Sequence, residues 1–111
     1  MPIFVTQGRY TQDAMKGMVA RPEDREGEVK QLFKRGGCKL LSYYITFGEY
    51  DFLIIAEAPD PTAILSVLAV AASGGGVTDI KTTLAVTTAE AKAAFAVANA
   101  SAAKFRSAGQ A

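Results

Sequence analysis

Alternating apolar and polar residues, or clusters of β-forming residues, mark four stretches of the chain as predicted β-strands. These are residues 3–9, 38–46, 51–58 and 77–87. Three other stretches carry apolar residues at helical spacing, at residues 11–36, 60–72 and 87–105. The predicted order along the chain is therefore β-α-β-β-α-β, followed by a C-terminal helix.

Start and stop signals support the boundaries of the first helical stretch. Thr11 stands at a predicted N-cap, where its hydroxyl accepts a backbone hydrogen bond. Pro22 interrupts the stretch, since a proline inside a helix costs about 3 kcal/mol. Gly36 and Gly37 end it as a C-cap. We therefore expect the first helix to break or restart near residue 22.

The element order is that of the ferredoxin-like α+β fold, a four-stranded antiparallel sheet with both long helices on one face. A chain of 111 residues has the size of one domain. We predict a single domain over residues 1–111. It consists of a ferredoxin-like core (1–87), a C-terminal helix (88–106) and a tail (107–111).

The second and third strands are predicted to form a hairpin whose register can be derived. An even-length loop centred on Gly48 and Glu49 pairs Thr46 with Asp51, and the pairing continues along both strands. The face predicted to lie under the helices carries Leu41, Tyr43, Ile45, Phe47, Tyr50, Phe52, Ile54 and Ala56. The opposite, mixed face carries Leu40, Ser42, Tyr44, Thr46, Asp51, Leu53, Ile55 and Glu57.

The mixed face is predicted to be an interface, because a sheet face open to water rarely keeps this many apolar residues. The first strand is expected to add Phe4 and Thr6 to it, and the fourth strand Lys81 and Thr83. Two copies that pack these faces together would form a homodimer with polar groups around any remaining cavity. The candidate pocket for a small organic or amino acid ligand consists of Thr6, Tyr44, Thr46, Asp51, Glu57, Lys81 and Thr83.

Composition and sequence features disfavour nucleic acid and membranes as partners. Twelve Lys and Arg residues against eleven Asp and Glu give a net charge of +1, and no dense basic cluster is present, which disfavours nucleic acid. The longest apolar run, residues 63–72, is about half of a membrane span. The N-terminus lacks the features of a signal peptide, and Cys38 is the only cysteine, so a cytoplasmic location is expected.

The chain contains no histidine, which limits the chemistry available to it. Histidine is the commonest general base near neutral pH and a frequent zinc ligand. Any catalysis would depend on carboxylates, tyrosine, lysine or Cys38, and Cys38 has no evident catalytic partner. We expect neither a cofactor nor a metal.

The turn from Gly48 to Asp51 has a structural and a functional interpretation. In the structural one, Gly48 supplies a positive φ, Asp51 accepts a backbone N–H, and Tyr50 covers the end of the core. In the functional one, Asp51 and Thr46 are hydrogen-bonding groups at the mouth of a pocket. The structural interpretation is favoured, because each residue has a sufficient role within the turn.

Other polar residues carry the same two alternatives. Glu57 and Lys81 would form either a rim salt bridge or a buried acid–base pair that approaches across a cavity. Tyr44 would be either an interface aromatic or a pocket residue. Arg9 and Tyr10 precede a helix N-terminus and could bind a carboxylate or another anion, with solvated charge as the default.

The residues Gly48, Tyr50 and Asp51 resemble the Gly-x-Tyr-Asp element of the GYD family of small bacterial proteins. The similarity extends over almost the whole chain, including residues 1–11 and 36–51. It implies a dimeric α/β-barrel type of fold. Residues 48–86 are also similar to the effector domain of leucine-responsive/AsnC-type regulators, which binds amino acids, although no helix-turn-helix precedes this domain here.

These observations predict a homo-oligomeric small-molecule-binding or accessory module without catalysis of its own. The alternative is a cofactor-independent enzyme, because dimeric α/β barrels also include monooxygenases and isomerases. Asp51, Glu57, Tyr44 and Lys81 would then be its working groups. A third possibility is a purely structural assembly partner.

Overall fold

The computed structural model describes residues 1–110, which form four strands and four helices. In chain order they are β1 (Ile3–Tyr10), α1 (Gln12–Ala20), α2 (Glu26–Arg35), β2 (Lys39–Ile45), β3 (Phe52–Glu57), α3 (Pro61–Ser73), β4 (Val77–Ala85) and α4 (Thr88–Ala102). The sheet has the strand order β2-β3-β1-β4, and every neighbouring pair is antiparallel. The predicted ferredoxin-like α+β fold is confirmed. Position 111 of the predicted tail lies outside the described residues.

Side-chain caps begin α1 and α3, and the cap of α1 is the predicted Thr11. The Thr11 hydroxyl accepts a hydrogen bond from the backbone N–H of Ala14 at 3.2 Å. The Asp60 carboxylate accepts one from Ala63 at 2.8 Å, and Pro61 follows in the first turn of α3, where its missing N–H costs nothing. Pro22 lies in the segment that separates α1 from α2, so the first helical stretch is two helices.

Burial alternates strictly along β3 and defines two faces of the sheet. The covered face includes Phe52, Ile54 and Ala56, which form the core with Phe33 of α2 and with Ile64 and Val67 of α3. The open face includes Leu53, Ile55 and Glu57, which are only half-buried. One face of the sheet therefore packs on helices and the other does not.

The hairpin register is as predicted over most of its length, with one irregularity. Ser42 pairs with Ile55 and Tyr44 with Leu53, as the even-length loop requires. A bulge between Leu40 and Ser42 then shifts the pairing by one residue. Because of it, Leu40 pairs with Ala56 and is buried, whereas Leu41 is exposed. The predicted faces of these two leucines were therefore interchanged.

Two further assignments to the mixed face are wrong. Phe4 pairs with Ala56 and Thr6 with Ile54, so both lie on the covered face. Thr6 is 1% exposed, and its hydroxyl shares a hydrogen bond with that of Thr82 at 3.0 Å. The prediction assigned the alternate residues of β1 to the wrong faces. Which face of β1 is buried depends on its pairing register with β3 and β4, which the sequence of β1 alone does not give.

Some predicted core residues near the hairpin turn lie outside the core. Ile45 is largely exposed, and Phe47 is 99% exposed. The ring of Tyr50 lies under the guanidinium of Arg9, with 5.7 Å between Arg9 Cζ and the ring centroid. The helices cover only the middle of the sheet, so alternation alone overestimates the extent of the core at the strand ends.

The last helix, α4, is not packed into the body of the protein. None of its fifteen residues is buried, and Phe95 and Val97 are each 70% exposed. The molecule measures 64 × 30 × 21 Å. Its radius of gyration is 18.4 Å, against about 13 Å for a compact domain of this length. None of the helices within residues 1–110 has the length and apolar character needed to cross a membrane.

Candidate functional site

The turn between β2 and β3 is held by backbone and side-chain hydrogen bonds to β1. The carboxylate of Asp51 accepts a hydrogen bond from the backbone N–H of Tyr10 at 2.9 Å. The backbone N–H of Asp51 donates to the carbonyl of Gly8 at 2.8 Å. Gly48 has a φ of +132°, a conformation that side chains strongly disfavour. Asp51 thus joins the turn to the end of the central strand.

The other polar groups of this turn are also engaged. The Thr46 hydroxyl donates to the carbonyl of Tyr50 at 2.7 Å. Arg9 Nε donates to the carbonyl of Glu49 at 2.7 Å, and its guanidinium lies 3.9 Å from the carboxylate of Asp79. These contacts agree with the roles that the structural interpretation gives to Gly48 and Asp51, whereas Tyr50 lies against Arg9 and does not cover the core. The suggested roles of Thr46 and Asp51 at a pocket mouth stay predictions.

The open face carries an apolar strip with polar groups around it. Val5 pairs with Ile55, Leu53 lies two residues away along β3 on the same face, and all three are half-buried. Tyr44 pairs with Leu53 and is 60% exposed. The remaining neighbours include Gln7, Glu57, Lys81 and Thr83. Four of the seven predicted pocket residues, Tyr44, Glu57, Lys81 and Thr83, therefore share this face.

Glu57 and Lys81 do not approach each other within one chain. Glu57 pairs with Ile3 and Lys81 with Gln7, on opposite sides of β1. Four residues of a strand span about 13 Å, to which the spacing between strands adds. The expected approach across a shared cavity is therefore wrong for a single subunit.

A cavity of about 560 Å³ lies on the other side of the sheet, between the covered face and helices α1, α2 and α3. Its walls are mainly apolar, formed by Ala14, Met18, Val29, Leu32, Phe33, Phe52, Ile54, Val67, Leu68, Ala71, Val77 and Ile80. None of the seven predicted pocket residues contributes to it. The cavity exists because α1 packs loosely and buries none of its side chains.

Two tyrosines supply hydroxyl groups to this cavity. Tyr10 at the end of β1 and Tyr43 in β2 share a hydrogen bond between their hydroxyls. The Tyr10 ring also packs against Phe52, with 5.2 Å between the ring centroids. Burial raises the pKa of Tyr10 well above its usual value, and the hydrogen bond to Tyr43 raises it further. Tyr10 is therefore a neutral phenol at neutral pH, which argues against its use as a general base.

Three charged residues surround the same cavity, all in the segment between α1 and α2. They are Arg21, Glu23 and Arg25. Arg25 forms an ion pair with Glu23 at 3.0 Å, whereas Arg21 has no ion-pair partner within residues 1–110. A smaller cavity of about 290 Å³ is lined by Tyr10, Tyr43, Glu23 and Arg25 as well. The polar groups are thus gathered at one end of the larger cavity.

The family model of the GYD domain matches residues 4–95. The chain belongs to the GYD domain family. A Thermus thermophilus relative, named glutamine synthetase and cystathionine beta-lyase binding protein, is 33% identical over 78 residues. The alignment covers 69% of this chain and 81% of the relative.

Solved structures of similar fold include a chain that the match covers almost fully and longer chains of which it covers about half. A solved Thermus thermophilus structure is 17% identical with a TM-score of 0.51, and the match covers 78% of this chain and 95% of that one. MtbAldR is 15% identical with a TM-score of 0.55, with 78% and 52% covered. A Neisseria meningitidis transcriptional regulator, solved in complex with L-Met, is 21% identical with a TM-score of 0.50, with 78% and 50% covered. This GYD domain spans about half the length of the last two.

In this GYD domain, sequence reasoning missed the cavity on the covered face. Tyr10 was noted as a possible anion-binding residue, but Tyr43 was assigned to the core. The separation of α1 from α2 at Pro22 is the one sequence signal that bears on the cavity, since two short helices cannot cover the sheet as one long helix does.

Proposed function

We propose that this GYD-family protein is a self-associating accessory module that acts by binding and has no catalysis of its own. In this proposal, two subunits pair through their open sheet faces, and the assembled protein binds a small organic ligand and another protein. A cytoplasmic location and the single-domain organisation over residues 1–111 are part of the proposal.

The apolar strip of the open face is the observation that carries this proposal. Val5, Leu53 and Ile55 lie on a face where no residue is buried. Most residues on the covered face of the same strands are buried. Apolar patches of this kind on soluble proteins usually mark interaction sites. A two-fold pairing of sheet faces would remove the strip from water and keep Lys81 and Glu57 near its rim.

The position of α4 supports self-association independently. Its exposed Phe95 and Val97 have no cover in their own subunit. Its other residues are mostly alanine, which allows another backbone to approach closely. Packing of α4 against a second copy would bury these side chains.

The relatives support the accessory and ligand-binding parts of the proposal. The Thermus relative is named for binding two metabolic enzymes, and the Neisseria regulator was solved with an amino acid. Tyr44, Glu57, Lys81 and Thr83 are the proposed ligand contacts on the open face, at the junction of two subunits. The absence of histidine and the neutral state of Tyr10 leave few groups for catalysis.

Size-exclusion chromatography with light scattering tests the self-association. We expect the wild type to have at least twice the mass of one chain. Leu53→Lys places a charge in the apolar strip and should give a monomer whose sheet stays folded in circular dichroism, even where α4 loses helix signal with the loss of its neighbour. Leu65→Lys, on the exposed side of α3, is the matched control and should keep the wild-type mass. A wild type that is monomeric at all concentrations overturns the proposal.

The accessory role is tested with purified enzymes of the source organism. We expect glutamine synthetase or cystathionine β-lyase to bind the wild type in surface plasmon resonance, and Leu65→Lys to bind equally well. If neither enzyme binds at micromolar concentrations, that part of the proposal fails while the self-association stands on its own result.

A further inference from the structure

We propose that the cavity between the covered face and α1, α2 and α3 is a binding site for a small organic carboxylate with an apolar body. This site is distinct from the open face and lies wholly within one subunit. It goes beyond the accessory role proposed above and does not depend on self-association.

Size and lining favour a small molecule. The volume of about 560 Å³ lies within the range of ordinary ligand pockets, which is about 300–1,000 Å³. Its inner part is bounded by Ile54, Val67 and Leu68, side chains without polar atoms. Such walls favour an aliphatic or aromatic group.

The tyrosine pair provides a hydrogen-bond donor at the polar end. The two phenols have two O–H groups, and the hydrogen bond between Tyr10 and Tyr43 uses one of them as its donor. The second O–H is left to donate to an oxygen of a ligand. Because the raised pKa of Tyr10 keeps this phenol protonated, the donor is present throughout the neutral range.

The charges at the same end are mixed, and the two arginines there favour an anion. Arg25 uses one guanidinium nitrogen on Glu23, and its other N–H groups are available to a carboxylate. Arg21 adds a second positive charge, so the three charged residues sum to +1. A carboxylate between the Tyr10–Tyr43 pair and Arg25 would therefore be complementary in both charge and hydrogen bonding. Glu23 opposes it, as do Asp24 and Glu26 in the lining of the adjoining smaller cavity, and these carboxylates should weaken its binding.

The chain offers a matched pair of glycines for blocking the cavity. Gly17 of α1 lines it, and a Cβ at this position would meet no atom within 4 Å. Gly27 of α2 is equally open but lies outside the cavity. Gly17→Leu should obstruct part of the cavity without disturbing the fold, while Gly27→Leu makes the same change elsewhere on a helix.

The probes are 4-phenylbutyrate and its uncharged amide, titrated into the methyl-labelled full-length protein and followed by NMR. We expect the acid to shift the methyl signals of Val67, Leu68 and Met18 and to leave those of Val5 and Leu53 in place. The amide should bind more weakly. Gly17→Leu should abolish the shifts, and Gly27→Leu should preserve them.

Substitutions at the polar end give a signature that a structural role would not. Tyr43→Phe and Arg25→Gln should each weaken the acid about threefold to tenfold. Glu23→Gln should strengthen it and leave the amide unchanged. Leu53→Lys should bind the acid like the wild type, which separates this result from the failure or success of self-association.

Four results would overturn the inference. They are shifts confined to the open face, unchanged binding in Gly17→Leu, equal affinity for acid and amide, and no binding at millimolar concentrations. If Gly17→Leu instead dissociates an oligomer in light scattering, a second copy fills the cavity, and the ligand assignment is wrong.

Discussion

The carboxylate of Asp51 accepts a hydrogen bond from the backbone N–H of Tyr10 at 2.9 Å, and this contact links Asp51 to a residue that lines the cavity. Asp51 does not line the cavity itself. It fixes the backbone of Tyr10, whose hydroxyl does. The Gly-x-Tyr-Asp element thus positions the last residue of β1 from a turn that lies about forty residues further along the chain.

Loss of this contact should lower stability according to what replaces the carboxylate. Asp51→Ala leaves a part-buried N–H without its partner, and we expect the free energy of unfolding to fall by about 1–3 kcal/mol. Asp51→Asn keeps an acceptor oxygen and should cost less. Urea unfolding monitored by circular dichroism measures both, and equal stability of Asp51→Ala and the wild type would contradict the assigned role.

A close approach of α2 and α3 should make Gly36 sensitive to substitution. A Cβ at Gly36 would lie 2.3 Å from Cγ2 of Val67, which is buried. Gly36→Ala should therefore destabilise the protein by about 1–3 kcal/mol through overpacking. In a double-mutant cycle measured by urea unfolding, Val67→Ala should remove most of this penalty.

The control for that prediction is Gly27→Ala. Gly27 lies inside α2, which Gly36 caps at its C-terminus, and has open space around it, so alanine should stabilise the protein by up to about 1 kcal/mol. If Gly36→Ala behaved in the same way, α2 and α3 would not be packed as closely as described.

Tyr10 should titrate at higher pH than an ordinary tyrosine. The absorbance difference at alkaline pH between the wild type and Tyr10→Phe isolates its ionisation, which we expect above the usual value of 10.0 because burial and the Tyr43 hydroxyl stabilise the neutral phenol. Tyr43→Phe should return the pKa only part of the way, since burial remains the larger cause.

The same shift predicts the pH dependence of stability. The folded state holds the Tyr10 proton more tightly than the unfolded state, so its contribution is complete below pH 10.0 and is lost as the pH rises through the folded-state pKa. The decline of stability in alkaline urea titrations should therefore be shallower in Tyr10→Phe. Parallel curves for the two proteins would rule out this linkage.

The N-terminus of α4 should respond to acid. Thr87 and Glu90 form a capping box, in which each side chain accepts a hydrogen bond from the other's backbone N–H at 3.1 Å. The Thr87 N–H lowers the pKa of Glu90 below its ordinary 4.5. Helix content that depends on the box is therefore present above pH 4.5 and is lost as the pH falls through the lower folded-state value.

Circular dichroism at 222 nm between neutral and acidic pH measures this loss. Glu90→Gln should begin with slightly less helix and lose less of it on acidification, because the glutamine cannot be protonated in this range. An identical acid transition in the variant would show that the helix loss arises elsewhere.

The sequence predictions were most accurate where residues close together in the chain determine the structure. Caps such as Thr11 and the register of the hairpin follow from side-chain chemistry and loop length. The exchange of Leu40 and Leu41 could not be foreseen, because a bulge inserts one residue without a local signal in this strand. The faces of Phe4 and Thr6 depend on pairing with distant strands.

The candidate site was the least predictable part for a related physical reason. Periodicity indicates which side chains face inward, but it does not indicate whether the opposing helices fill the space that they face. Tyr43 was correctly expected on the covered side, and the gap beside it arises from the loose packing of α1. Cavities depend on packing between elements, which no single segment encodes.

Because α4 is not packed on the core of its own subunit, its stability is separate from that of the sheet and the other helices. A helix of fifteen residues surrounded by water is close to the limit at which isolated helices persist. If it is ordered by packing on a second copy, dilution should melt it well before the sheet unfolds. Order in the core would then be an intrinsic property of each molecule, while order in the last helix would depend on the concentration of the protein.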